Sequence, residues 1–202
     1  MKQAVADIFP SWSTRFEGRI NHMYLDVKGL VTIGIGNLID PISLAIQLPF
    51  YFKGTETKAS PAAISGEWSL LKGHPDLAKQ GHKAAAKITK LYLKNEDIDR
   101  LVAREMLRFE TYLRKGFKLW DMFPADAQLG ILSMSWAMGA GFYLKFPAFT
   151  KACNQLDWDQ ASVQCLMRAT GNPGLVPRNH ANVALFKAAA VTRNPEVLSN
   201  AP

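Results

Sequence analysis

Cysteine is scarce: Cys153 and Cys165 are the only two in 202 residues. That excludes a disulfide framework for a chain of this length. The expectation is a pair of buried free thiols, with a bridge across a helical hairpin as the alternative. Histidine is scarce too, and His22, His74, His82 and His180 show no metal-ligand spacing. They are read as surface residues, and no metal or cofactor is expected. No stretch approaches the roughly 20 apolar residues of a membrane span. The first residues are polar and interrupted by Pro10, without the apolar core of a secretion signal. The corresponding expectation is synthesis in the cytoplasm, with export dependent on another protein. Gly34-x-Gly36 lacks the third glycine and following helix of a nucleotide loop and reads as a sheet turn. Repeats and low-complexity tracts are absent. Only 20% of residues are charged while 48% are hydrophobic, which excludes intrinsic disorder. The length fits one domain, or one domain built from two lobes.

The charge that is present is lopsided, at a formal +7. A basic surface favours anionic partners, whether nucleic acid, anionic lipid or acidic cell wall, and charge alone does not choose among them. Along the chain, residues 2–17 can form a short helix stopped by Gly18. Tyr24, Val31, Ile33 and Ile35 then alternate with polar or small residues, the mark of a short antiparallel sheet with tight turns. From about residue 60 the pattern is helical. Ser60-Pro61 is a cap followed by proline at the first helical position, and residues 76–93 read as a solvated Lys/Ala-rich helix. Asn95-Glu96-Asp97 opens a long amphipathic helix to about Lys115. Pro124-Ala125-Asp126 opens another that is apolar nearly all round and is expected to be the buried central helix. Shorter helices are expected near 147–155 and 158–169, and a last one from Pro177 to Thr192. The fold class is α+β, with a small N-terminal antiparallel sheet lobe and a larger, mostly helical lobe.

Three side chains invite a chemical reading. Glu17 closes the first helix, where the negative end of the macrodipole disfavours a carboxylate's charged form. That suits a general acid better than a structural glutamate. Asp26 sits in a turn and Thr32 on the next strand, so a helix end, a turn and a strand can converge on one cleft. Taken singly, a surface Glu, a turn Asp and a strand Thr are ordinary.

Their spacing is more specific. Glu17-Gly18, Tyr24-x-Asp26, Gly29 and Thr32-Ile33-Gly34-x-Gly36 leave eight residues between Glu and Asp and five between Asp and Thr. This run resembles the catalytic segment of the T-even phage lysozyme family, glycoside hydrolase family 24. Trp136 to Ala161, with Met138-Gly139, Phe146 and Trp158-Asp159, resembles that family's central helix and the segment immediately after it. Arg178 with Leu185-Phe186 resembles its last helix. Asn37 stands where the family usually has histidine, Ala137 replaces a polar residue, and Asn179 and Asn182 replace an arginine and a glutamate. Residues 40–95 have no counterpart and read as an insertion between sheet and helical lobe.

The resemblance implies a lysozyme-like fold with its catalytic cleft between the lobes. It implies a muramidase of the endolysin type, cutting the β-1,4 bond between N-acetylmuramic acid and N-acetylglucosamine. Glu17 would be the general acid, Asp26 the water-activating base and Thr32 the water-orienting hydroxyl, with inversion at the anomeric carbon. Leu38, Trp136, Phe149 and Gln164 fall where the family contacts the sugar chain, and Arg178 falls beside the acid. The implied partner is the peptidoglycan glycan strand, met in the periplasm by a monomer and with no nucleic acid. Lysines of the 40–95 segment suggest a further touch on anionic envelope. Two rival readings stand beside this one. One is an antibacterial effector lysozyme delivered into a competitor's periplasm; the other is a non-catalytic wall-binding or phage-structural module.

Overall fold

The structure is a computed structural model that describes residues 1–192 and 194–199. It is a mixed helix-and-sheet protein with small antiparallel sheets. No helix among the described residues is long and apolar enough to cross a membrane. Internal contacts divide the chain into two units, Glu17–Ala103 and Met1–Phe16 with Arg104–Pro202.

The Glu17–Ala103 unit begins at the last residue of α1 (Gln3–Glu17) and is built on a three-stranded sheet. Its strands β1 (Ile20–Leu25), β2 (Val31–Gly34) and β3 (Asn37–Leu38) run in antiparallel order β1-β2-β3. Met23, Leu25, Val31 and Ile33 are buried, each worth about 1.5–3 kcal/mol of apolar transfer. After α2 (Ile42–Ala45), strand β4 (Tyr51–Phe52) pairs with β5 (Leu91–Tyr92), joining the two ends of the 40–95 segment. Between them lie α3 (Pro61–Lys72), α4 (Leu77–Gln80) and α5 (His82–Ile88), all packed against β1. The α3 cap forms as its residues suggest, with Ser60 Oγ accepting from Ala63 N at 3.2 Å and Pro61 at the first helical position. Glu67 of α3 is buried and accepts the backbone N–H groups of Lys90 and Leu91, tying β5 to the helix.

The second unit is helical. It holds α1 as far as Phe16 and the later part of α6 (Asn95–Gly116), followed by α7 (Ala125–Met138). Then come α8 (Pro147–Asn154), α9 (Trp158–Gln164) and α10 (Leu175–Val191). Every residue of α7 from Ala125 to Ser135 is buried, so it is the central helix its apolar circumference suggests. Rings from the surrounding segments pack together: Phe117 meets Phe123, Phe142 and Phe149, and Phe149 meets Phe186 at 5.1 Å. Cys153 and Cys165 are buried free thiols. Burial pushes both up, Cys165 to about 11.

Three local expectations are corrected. Residues 76–93 do not form one helix: the chain breaks at Gly81, with φ +77°, and then turns extended into β5. The helix expected to reach 169 ends at Gln164. There the Asn179 side chain accepts from Met167 N at 3.0 Å and donates to Met167 O at 2.7 Å, using both backbone groups that a longer helix would need. His22 is not a surface residue. It is 8% exposed, its Nε2 donates to His82 O at 2.9 Å, and burial lowers its pKa.

Gly130 on α7 shows how tightly the helical unit is packed. A Cβ there would lie 2.7 Å from Cζ of Phe186, a fully buried ring. Ala favours a helix over Gly by about 1 kcal/mol, whereas overpacking a filled core costs about 1–3 kcal/mol. With no room for the ring, the clash wins. Gly130→Ala is expected to lower the calorimetric Tm by roughly 2–8 °C; a raised Tm would show that the ring can move aside.

Candidate functional site

The register of the three-stranded sheet decides which side chains share a face. Tyr24 pairs with Thr32 and Leu25 with Val31, and Asp26 N donates to Leu30 O at 2.9 Å to extend the ladder. Across the next pair Thr32 lies opposite Leu38. Strand side chains alternate between faces. Tyr24, Asp26, Thr32 and Leu38 therefore lie on one face, while Leu25, Val31 and Ile33 fill the core from the other. Opposed Cβ atoms stand roughly 4.5–5.5 Å apart and diagonal neighbours roughly 7–8 Å. Thr32 is thus flanked by Tyr24 and Leu38, with Asp26 on the diagonal.

Asp26 divides its oxygens between two tasks. Oδ1 accepts from Lys28 N at 2.8 Å and Leu30 N at 2.9 Å, while the Asp26 carbonyl accepts from Gly29 N at 2.9 Å. The turn thereby holds the side chain by one oxygen, an Asx turn, and makes no use of Oδ2. Thr32 is 4% exposed, and its Oγ1 donates to Leu30 O at 3.2 Å. With the proton committed there, the hydroxyl is left to accept.

Glu17 is half-buried and reaches the next turn of the same sheet. A Cβ on Gly36 would stand 3.1 Å from Glu17 Oε2 and 3.3 Å from its Cδ, so the carboxylate lies against the bare backbone and an added methyl would press it back by a few tenths of an ångström. Gly36 also has φ +73°, which disfavours any other residue. The Gly34–Asn37 turn is closed by Asn37, whose buried Oδ1 accepts from Ile35 N at 3.0 Å. Tyr24 lies within the field of both acids. Burial pushes its phenol up to about 12, and the charges of Glu17 and Asp26 push the same way. Both carboxylates therefore act on one hydroxyl, which keeps its proton at neutral pH.

Glu17, Asp26, Thr32 and Leu38 are thus brought together within the Glu17–Ala103 unit, where Leu38 is 48% exposed on the shared face. Trp136, Phe149, Gln164 and Arg178 belong to the helical unit. Trp136 is half-buried, with Phe9 and Phe109 edge-on at 4.9 and 5.2 Å. Gln164 is half-buried at the end of α9. Arg178 is buried, donates from Nη1 to Ser133 O at 3.0 Å and lies 4.7 Å over the Phe16 ring. Phe149 requires correction as a sugar contact. It is 0% exposed among Phe117, Phe142 and Phe186, and no part of its ring is open to a ligand.

Among the described residues no three His, Cys, Asp or Glu side chains group as a metal site. The residue that sequence reasoning passed over is Tyr24, treated there as a spacing marker. Its signal was the i, i+2 relation to Asp26 on a strand, which puts both on one face.

Gly36→Ala tests the placement of Glu17. Alanine at positive φ costs about 1–2 kcal/mol, a Tm loss of roughly 2–8 °C. The new methyl should also displace the Glu17 side chain, seen as a shifted carboxyl carbon resonance. An unmoved resonance in a folded variant would mean that Glu17 does not lie against this turn. In comparisons with known protein families and with curated proteins, nothing matches this chain.

Proposed function

We propose that the protein is a peptidoglycan muramidase with a lysozyme-like fold, hydrolysing the β-1,4 bond between N-acetylmuramic acid and N-acetylglucosamine. The observation that carries this reading is the shared sheet face. Asp26 and Thr32 stand there as diagonal neighbours, Glu17 approaches at the adjoining turn, and both acids act on Tyr24. In the proposed reaction Glu17 gives its proton to the leaving glycosidic oxygen. A water attacks the anomeric carbon from the opposite side, passing one proton to Asp26 Oδ2. Because Thr32 donates to Leu30 O, its oxygen accepts a hydrogen bond from the water's other O–H, which stays intact and turns the water's lone pair toward the sugar. Leu38, exposed beside Thr32, offers an apolar surface for the ring. Trp136 and Gln164 as further sugar contacts, and Arg178 as support for the acid, come from the family resemblance.

The endolysin role and action in the periplasm belong to the same proposal. Lys79, Lys83, Lys87 and Lys90 are exposed in a stretch, residues 77–95, that holds no acidic residue. That surface is suited to anionic envelope.

Glu17→Gln keeps the side chain's shape but removes the transferable proton. Clearing of purified walls is expected to fall by about 10²–10⁴ with folding intact; loss within a few-fold would remove Glu17 from the acid's role. Stereochemistry is a separate test. A base acting through water needs its carboxyl roughly 6.5–9.5 Å from the acid and inverts the anomeric carbon. NMR of fresh product should show the α-anomer first. A first-formed β-anomer would mean retention, and Asp26 and Thr32 would then no longer be base and water-orienting hydroxyl.

A further inference from the structure

Tyr24 is on the working face of the sheet but has no part in the chemistry above. It is half-buried, its Cα partner is Thr32, and Asp26 is two residues on along the same face. Among the described residues none accepts its hydroxyl proton, although two carboxylates are near enough for their charges to act on it. Its ring is braced from behind. His82, at the start of α5, meets it edge-on at 6.2 Å and 69°, and the His82 carbonyl is itself held by His22 Nε2 from the neighbouring β1 position. A hydroxyl whose ring is held by His82, on the face that carries Asp26 and Thr32 and within the field of both acids, is set to bond something that enters beside them.

We propose that Tyr24 is a ligand-contacting residue of this site, its Oη–H donating to an oxygen of the sugar held between Glu17 and Asp26. The proposal rests on the muramidase reading and adds a specificity group to it. The chemistry suits the place. A phenol facing two carboxylates holds its proton through neutral and mildly alkaline pH, so it remains a donor and does not compete as a second acid. Sugar hydroxyl and acetamido oxygens accept such a bond, and a bond already made to the bound sugar contributes equally to the ground and transition states. Its loss therefore shows mainly in binding. The 40–95 segment gains a role as well, since through His82 it sets the ring on which this donor stands.

The test uses Glu17→Gln, which should bind glycan without turning it over, with and without Tyr24→Phe. Titration with a soluble N-acetylglucosamine–N-acetylmuramic acid oligosaccharide is followed by calorimetry. The phenylalanine removes one oxygen from a ring packed at its edge, so the fold should survive, checked by an unchanged Tm. Loss of one neutral hydrogen bond should raise Kd by about three- to tenfold. In the otherwise wild-type protein, Tyr24→Phe should raise KM by a similar factor with kcat nearly unchanged. An unchanged Kd and KM would overturn the role of Tyr24 while leaving the muramidase reading in place. If wild-type protein failed to clear walls and Glu17→Gln failed to bind the oligosaccharide, the muramidase reading itself would fall, and this proposal with it.

Discussion

The pairing of Tyr24 with Thr32 across β1 and β2 governs the order of Tyr24, Asp26, Thr32 and Leu38 on the candidate face. Because strand side chains alternate, a slip of one residue on either strand would turn Leu25, or Val31 and Ile33, outward and send Tyr24 and Asp26, or Thr32, into the core. Those three apolar residues are 0–2% exposed. Exposing them would forfeit about 1.5–3 kcal/mol each, against a total stability of only about 5–15 kcal/mol for a typical domain. The register is therefore held by the buried face, and the polar face inherits its order from it.

Side chains on that polar face are fixed by hydrogen bonds that leave other polar atoms uncommitted. Asp26 spends Oδ1 on two backbone N–H groups of its turn, which orients Oδ2 without using it. Thr32 spends its proton on Leu30 O and keeps an acceptor. Both devices anchor a candidate side chain to the backbone of the same short hairpin. Neither depends on a long, flexible partner, so in the proposed reaction the water would be held at little reorganisation cost. The turn that receives Glu17 works by omission, since at Gly36 there is no Cβ to collide with the carboxylate.

The 40–95 segment is part of the support for this face. Helices α3, α4 and α5 pack on β1, and β4 pairs with β5 so that the segment returns to where it left. Buried polar side chains tie it in, Glu67 from within the segment and His22 from β1, each through backbone partners on a different element. Lysines occupy its outward positions because the inward ones are taken by Leu77 and Ala85.

Local signals in the sequence were enough for what depends on neighbours along the chain. The Ser60 cap, the long helix opened at Asn95, the all-round apolar helix α7 and the alternating strands were all legible, because capping and periodicity are decided within a few residues. The spacing of Glu17, Asp26 and Thr32 could likewise be read directly. What depends on distant partners was not legible. Asn179 ends α9 from fifteen residues beyond Gln164, and His22 is buried by α5. Phe149 is enclosed by rings from 117, 142 and 186. Tyr24 became more than a spacing marker only when cross-strand pairing set it beside Thr32 and the chain's path brought both acids to bear on it. Periodicity specifies which face a side chain takes, but burial and electrostatic environment arise from segments far apart in sequence, and those only folding brings together.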